Sequence, residues 1–311
     1  MGELHPQMRA ILDKMQEAAL PALPTLTPEA ARAQVDATFV PIWNANPPAV
    51  AAVTNFTIPG PGGPIAVRLY DPGVAAPAPC LVYLHGGGWV ICSLDTHDDV
   101  CRRIALAGRV MVASIDYRLA PEHKFPAGLE DCIAATRWLA AHGEARGIDG
   151  RRLAIGGDSA GANLSLATLV ALRDSGGPHL RGGLLIYGAY GSDRDTPSHR
   201  AFGDGSYILS LAEIEWFLSH YLDGAGKRDD PRAAPLYADL RRLPPLYLTA
   251  AEFDPLLDDT VALAEKLKQA GVSYEYRYWP GVVHAALHMA RALDPMKEFI
   301  AEIGGWLRRT V

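Results

Sequence analysis

The sequence has 311 residues, of which 49% are hydrophobic and 21% charged, and its formal net charge is −6. This composition is typical of a folded globular protein and excludes a disordered or fibrous chain. The acidic balance argues against nucleic acid as a partner, because nucleic-acid-binding domains usually present a basic face.

The N-terminal segment and the cysteines indicate the compartment. Residues 1–20 mix charged and apolar side chains, which does not predict a signal peptide. The longest mostly apolar run, residues 160–172, is too short to span a membrane. The 4 cysteines show no CxxC spacing, a usage typical of free thiols in a reducing compartment. We therefore expect a cytoplasmic protein without a membrane span.

Alternating strand and helix patterns run along most of the chain. Apolar residues at helical spacing predict an amphipathic helix within the first twenty residues, and prolines then break the chain. Short apolar or alternating runs predict strands at 65–70, 80–84, 110–115, 153–156, 183–187, 246–250 and 274–279. Helical-length segments separate most of them, at 98–107, 129–142, 160–174 and 257–270. This alternation predicts an α/β fold with a mostly parallel central sheet flanked by helices.

One interval departs from that alternation. Between the strands at 183–187 and 246–250 no further sheet strand is evident, but residues 211–222 predict a helix. We interpret residues 188–244 as an insertion that forms a helical cap together with residues 1–50. The catalytic core is then residues 51–187 and 245–311.

The segment Gly157-Asp158-Ser159-Ala160-Gly161 matches the motif GxSxG. It follows one predicted strand and opens the helix at 160–174, the context in which this motif lifts a serine hydroxyl above the edge of a sheet. The helix N-terminus adds a positive potential there. We predict Ser159 as a nucleophile, which needs a base and an acid that orients the base.

Two histidines are candidates for the base. Where GxSxG occurs in this context, the acid and then the histidine follow the serine along the chain, and His284 and His288 lie in the C-terminal third. His284 follows residues 280–283, which we interpret as a loop at the carboxyl end of a strand, where such sheets place their sites. We predict His284 as the base and His288 as an ordinary helix residue. The pair lacks HExxH and a third ligand, so no metal is expected.

The orienting acid should also follow a strand. Asp254 takes that position after the run at 246–250, whereas Asp258 and Asp259 fall in the solvated first turn of the next predicted helix. We predict Asp254 as the acid and keep Glu252 as the alternative.

Three glycines follow the strand at 80–84, in the segment His85-Gly86-Gly87-Gly88-Trp89. Attack by Ser159 on a carbonyl would create an oxyanion, which needs preorganised donors. Backbone N–H groups of the glycine loop can supply two, and the N–H of Ala160 a third. The missing side chains would let a substrate approach the backbone.

Together these residues resemble the hormone-sensitive-lipase-like branch of the α/β-hydrolases, the bacterial family IV esterases. The resemblance covers about residues 60–311 and is carried by the segments 85–89, 93–97, 116–123, 157–161 and 254–256 and by His284. It implies an α/β-hydrolase core with a cap, an oxyanion hole formed by Gly87, Gly88 and Ala160, and carboxylesterase activity without a cofactor.

Three positions depart from the pattern of this family. The chain has Ala162 where the family has a third glycine before Asn163, Ala285-Ala286 where it has Gly-Phe, and Cys92 where it commonly has glycine. All three lie close to the predicted pocket, so they bear on the size of the acyl group.

A serine carboxylesterase for short-chain acyl esters, acting through an acyl-enzyme, is the function predicted. An amidase or a carbohydrate deacetylase would use the same triad and is the alternative. A binding module similar to the plant gibberellin receptors is disfavoured because those proteins have lost the histidine that His284 supplies. A serine β-lactamase is disfavoured because no serine begins SxxK. On the resemblance, we expect acyl chains from acetyl to about hexanoyl. From their aromatic character and place in the chain, we expect Trp89, Tyr207 and Trp216 to line the pocket.

The last predicted strand, residues 274–279, should form an edge of the sheet. It carries three tyrosines and a tryptophan but only Glu275 and Arg277 as charges, which is little protection for an exposed edge. A two-fold axis would pair the strand with its own copy and bring Glu275 of one chain near Arg277 of the other. We expect a homodimer.

Overall fold

A computed structural model describes residues 2–224 and 227–311. Its centre is one sheet of eight strands: β1 (Ala52–Gly60), β2 (Gly63–Asp71), β3 (Ala78–Leu84), β4 (Met111–Asp116), β5 (Ile148–Asp158), β6 (Gly183–Ile186), β7 (Leu246–Phe253) and β8 (Tyr274–Val283). Their order across the sheet is β1-β2-β4-β3-β5-β6-β7-β8. The pairs β1–β2 and β2–β4 are antiparallel, and all the others are parallel.

The described residues form the α-helices α1 (Pro6–Glu17), α2 (Pro28–Trp43), α3 (Asp98–Gly108), α4 (Ala127–His142), α5 (Ala160–Asp174), α6 (Pro197–Phe202), α7 (Leu211–Tyr221), α8 (Leu257–Gln269) and α9 (Asp294–Thr310). None of them is long and apolar enough to cross a membrane.

Side chains alternate between two cores, one on each face of the sheet. Along β3, Cys80 and Val82 belong to the core formed with α4, α5 and α8, whereas Leu81 and Tyr83 belong to the core formed with α3 and α9. Burial on both faces explains why the inner strands are apolar throughout.

The predicted α/β fold with a mostly parallel sheet is confirmed, and α5 has the predicted bounds of 160–174. Residues 280–283, interpreted as a loop, are instead the last part of β8 and pair Val283 with Phe253.

Two elements before residue 61 had no prediction. Strand β1 is half-exposed at the edge of the sheet and ends in Pro59 and Gly60, so it lacks a clear apolar pattern. In α2, Pro28 does not break the chain but occupies the first turn, where a missing N–H costs nothing. Thr27 caps that helix by accepting from the N–H of Ala30.

Candidate active site

The turn between β5 and α5 holds Ser159 in a rare backbone conformation. Its φ is 54° and its ψ −120°, a left-handed conformation that a non-glycine residue keeps only when the surroundings impose it. The N–H of Ser159 donates to the carbonyl oxygen of Ile186 at 2.9 Å. A Cβ on Gly157 or Gly161 would collide with the carbonyl oxygen of Leu84. These glycines therefore let the turn press against the end of β3.

Ser159, His284 and Asp254 form a continuous chain of hydrogen bonds. The Oγ of Ser159 lies 3.0 Å from Nε2 of His284, and Nδ1 of His284 lies 2.7 Å from Oδ2 of Asp254. Oδ1 of Asp254 accepts from the N–H of Leu256 at 2.8 Å. Asp254 is fully buried and His284 is 5% exposed. The three side chains have the geometry of a nucleophile, a base and an orienting acid.

The other acidic side chains near β7 have separate partners. Glu252, the alternative acid, accepts from the N–H groups of Gly281 and Gly2 at 2.8 and 2.7 Å. Asp259 is not in a solvated turn, as the sequence predicted, but is buried and accepts from the N–H groups of Tyr190 and Gly191 at 2.7 and 2.9 Å. That prediction was wrong because the insertion after β6 covers the start of α8.

The glycine loop after β3 is held in a left-handed conformation, with φ of 105° at Gly87, 57° at Gly88 and 62° at Trp89. The carbonyl oxygen of Gly87 accepts from the N–H groups of the residues three and four positions later. Within the part of the chain that the structure describes, the N–H groups of Gly87, Gly88 and Ala160 have no acceptor. All three residues line the cavity that contains Ser159.

The absent side chains of this loop face protein atoms. A Cβ on Gly87 would collide with the carbonyl oxygen of Ile91, and one on Gly88 with the ring of Phe217 from α7. The glycines are therefore required by the left-handed backbone and by packing against the cap, in addition to any approach by a substrate.

A family model described as the alpha/beta hydrolase fold matches residues 81–288, more than half of the chain. The chain belongs to the hormone-sensitive-lipase-like α/β-hydrolases. It is 43% identical to the carboxylesterase NlhH of Mycobacterium tuberculosis over an alignment of 239 residues. That alignment covers 75% of this chain and 75% of the relative. The chain is 36% identical over 257 residues to an acetyl esterase of Salmonella paratyphi B, covering 81% of this chain and 78% of the relative.

A solved structure agrees with these relatives. The hyperthermophilic esterase from the archaeon Pyrobaculum calidifontis superimposes with a TM-score of 0.95 and 37% identity, over 99% of this chain and 98% of the other. The predicted class, a carboxylic ester hydrolase, is confirmed.

The backbone explains why the family has glycine at two of the positions where this chain departs from its pattern. Cys92 and Ala285 stand where this hydrolase family usually has glycine, and their φ angles are 71° and 59°. Both therefore adopt a conformation that glycine would adopt without strain. Asn163 matches the family and donates to the carbonyl oxygens of Ala189 and Ala233 at 2.7 and 2.8 Å. It thereby ties α5 to the insertion.

A buried polar network lies behind Ser159. Oδ1 of Asp158 accepts from the hydroxyl of Tyr83 at 2.7 Å and from the N–H of Gly86 at 3.1 Å. Nε2 of His97 lies 3.2 Å from the same oxygen, and Nε2 of His288 lies 3.9 Å from Oδ2. Asp158 therefore connects the serine turn to the glycine loop, a role that its place inside GxSxG did not indicate.

His288 lies in a helix, as predicted, but its burial in this network was not anticipated. It lies in the short 3-10 helix Ala286–Met289, where it is 3% exposed, and burial lowers its pKa to about 3. Its ring, Asp158 and His97 place their ligand atoms within 4.8 Å of one another, an arrangement that a metal ion would fit. Oδ1 of Asp158 already accepts from Tyr83 and Gly86 and lies 3.2 Å from Nε2 of His97, so we interpret the group as a structural network.

A cavity of about 690 Å³ extends from Ser159 to helices α1, α2 and α7. Trp89 lines it, as predicted, and stacks on Tyr221 with ring centroids 4.4 Å apart. Tyr207 and Trp216 do not line it, because Tyr207 packs on Phe202 and Phe253 and Trp216 packs on Phe217 and His220. The adjacent residues Ile208 and Phe217 line it instead. Their aromatic neighbours were chosen by residue type, which does not determine the direction of a side chain.

Proposed function

We propose that the protein is a serine carboxylesterase in which Ser159, His284 and Asp254 are the catalytic triad. The observation that carries the proposal is the hydrogen-bonded chain from Asp254 through His284 to Ser159, beside three backbone N–H groups that have no acceptor in the described part of the chain. The esterase names of its relatives support the same chemistry.

The geometry supports a reaction in two halves. Nε2 of His284 removes the proton of Ser159 as Oγ attacks the ester carbonyl, and the N–H groups of Gly87, Gly88 and Ala160 stabilise the oxyanion. The tetrahedral intermediate collapses, the alcohol leaves with the proton from His284, and the acyl group remains on Oγ. Water, deprotonated by His284, then releases the acid and regenerates Ser159. Asp254 holds the proton on Nδ1 and stabilises the imidazolium.

We further propose that residues 1–50 and 188–244 form a cap that selects short acyl chains, from acetyl to about hexanoyl. Helices α1, α2 and α7 supply side chains to the cavity, and α7 contacts the 3-10 turn Leu23–Thr25. The acetyl esterase among the relatives supports the preference for short chains.

The proposal of a cytoplasmic protein rests on cysteine chemistry. All four cysteines are free, and three of them are buried. Fractionation of the native cells, with detection of the protein by antibody, tests this proposal.

Loss of the nucleophile tests the mechanism. Ser159→Ala should reduce ester hydrolysis to the low residual rate that the oxyanion hole and substrate binding support alone. Intact-mass spectrometry after an organophosphate should show one adduct, absent in Ser159→Ala and unchanged in Ser175→Ala, which alters an exposed serine at the other end of α5. Labelling of the Ser159→Ala variant would contradict the proposal.

A substrate panel tests the specificity. Nitrophenyl esters from acetyl to palmitoyl should show a maximum at or below hexanoyl, and efficient cleavage of long chains would contradict the role given to the cap. Matched amides and acetylated sugars belong in the same panel, because faster turnover of either would support the amidase or deacetylase alternative.

A further inference from the structure

Arg194 is a cation that lines the cavity of Ser159 and has no anionic partner among the residues that the structure describes. It lies in the segment between β6 and α6, is half-buried, and lines the same cavity as Ser159, His284 and Trp89. Its Nη1 and Nη2 donate to the carbonyl oxygens of Asp193 and Gly191 at 2.9 and 3.1 Å. Its Nε is buried and has no acceptor among the described residues.

No carboxylate in the described part of the chain lies within 4.0 Å of this guanidinium. Among the acidic residues, Asp259 has the largest electrostatic effect on Arg194, but one of its oxygens accepts two backbone N–H groups from the insertion. Burial lowers the pKa of Arg194, which is the direction expected when the protein does not compensate the charge.

The other charged groups around the cavity show the same imbalance. Lys14 and Arg291 are exposed where they line the cavity, and among the described residues neither has a carboxylate within 4.0 Å. The two acidic residues that line it are engaged: Asp158 in the network behind Ser159, and Glu213 with the N–H and hydroxyl of Ser210. Three of the lining residues are therefore cations and two are carboxylates, so the lining carries a net positive charge in a chain whose net charge is −6.

We propose that Arg194 binds a carboxylate of the substrate, so that the preferred substrates are esters that carry a carboxylate near the scissile bond. This inference rests on the proposed esterase function. Guanidinium has five N–H donors, of which two are used here, and it matches the two oxygens of a carboxylate. Lys14 and Arg291 at the rim steer the anion toward the cavity.

The carboxylate can lie on the acyl or the alcohol side of the ester, and two matched pairs distinguish them. On the acyl side, the mono-4-nitrophenyl ester of glutaric acid is compared with 4-nitrophenyl valerate. On the alcohol side, 4-acetoxybutyrate is compared with butyl acetate, with acid release followed by titration. In each pair a carboxylate replaces a methyl group. The kcat/KM of the anionic ester divided by that of its neutral partner therefore isolates the effect of the charge.

Arg194→Gln should lower that ratio by about 10- to 100-fold for the favoured pair, mostly through KM, because a hydrogen bond to a charged group is lost. Activity on the neutral esters should change by less than about 3-fold. Arg194→Lys should restore part of the ratio, since it keeps the charge but not the paired donors. The control is Arg200→Gln, which removes an exposed arginine paired with Asp195 and should change nothing.

Wild-type protein supplies a second measurement that needs no variant. Raising the salt concentration should lower kcat/KM for the anionic ester of the favoured pair and leave its neutral partner unchanged. An unchanged ratio in Arg194→Gln, an equal loss on both members of a pair, or a salt response shared by both esters overturns the inference. If the wild type cleaves none of the four esters, the proposed esterase function itself fails.

Discussion

The two ends of the cavity are built from different parts of the chain. At the end that holds Ser159, called the catalytic end after its proposed role, Ser159 and Gly88 have positive φ, and three backbone N–H groups have no acceptor among the described residues. At the cap end, the wall consists of side chains from α1, α2 and α7, among them Met15, Phe39 and Phe217.

This difference implies that the reaction and the choice of substrate depend on different parts of the cavity. Backbone geometry depends on a few glycines and on turns that the core imposes, so it changes little when a surface side chain changes. A wall of side chains changes shape with each substitution. We therefore expect substitutions at the catalytic end to reduce every reaction, and substitutions at the cap end to change which ester is preferred.

The largest effect after loss of the nucleophile is expected at the buried acid. Asp254→Asn keeps the size of the side chain but presents the wrong hydrogen-bonding group to Nδ1 of His284, and kcat should fall on the order of 10⁴-fold. Asp258→Asn, in the first turn of α8, and Glu252→Gln should each leave kcat within a few fold, measured on a nitrophenyl ester. A loss of kcat seen only in Glu252→Gln would show that Glu252, and not Asp254, is the orienting acid.

A smaller effect is expected where the two ends meet, at Gly88. Gly88→Ala should lower kcat by about 10² to 10³, because the strained loop moves an oxyanion donor. Adding Phe217→Ala should recover part of the loss, since it removes the ring that the new Cβ meets. Gly176→Ala is the matched control, with φ of 62° and no atom within 4 Å of the added Cβ. Equal losses in Gly88→Ala and Gly176→Ala would contradict this explanation.

The two ends of the cavity also differ in how well their residues could be predicted from the sequence. The proximity of Ser159, Asp254 and His284 could be predicted because each directly follows a strand of the core, where position along the chain determines position in the sheet. Tyr207 and Trp216 were misplaced because no such rule orients side chains between β6 and β7, where Tyr207 lies in a turn and Trp216 on α7. The burial of Asp259 and His288 was missed for a related reason, since it depends on long-range packing against segments distant in sequence.

The buried histidines should make stability depend on pH. Burial lowers the pKa of His85 and His288 to about 3, whereas an unfolded histidine titrates near 6.5. Below about pH 6.5 the unfolded chain therefore binds protons that the folded protein does not, and the free energy of unfolding falls as the pH decreases toward 3. Each histidine contributes on the order of 1 kcal/mol per pH unit in this window and nothing above it.

Denaturant unfolding at pH 7 and pH 5 checks this expectation. His288→Phe should reduce the loss of stability between the two values, whatever its effect at pH 7, because one titrating group is removed. His179→Gln, which replaces an exposed histidine, should leave the difference unchanged. An identical difference in wild type and His288→Phe would contradict the burial of a neutral ring.

The smallest effect on activity is expected at the edge strand. β8 lies at one edge of the sheet, as predicted, but Glu275 is 3.2 Å from Arg309 and Arg277 is 2.7 Å from Glu302 of the same chain. A cross-chain pair of Glu275 with Arg277 would have to replace these bonds, so we propose that the homodimer forms through backbone pairing and the exposed Tyr278. Sedimentation at micromolar concentration should give twice 33.4 kDa. Tyr278→Lys should give the mass of the monomer because of charge repulsion, while ester hydrolysis persists. A monomeric wild type would show that this edge stays unpaired.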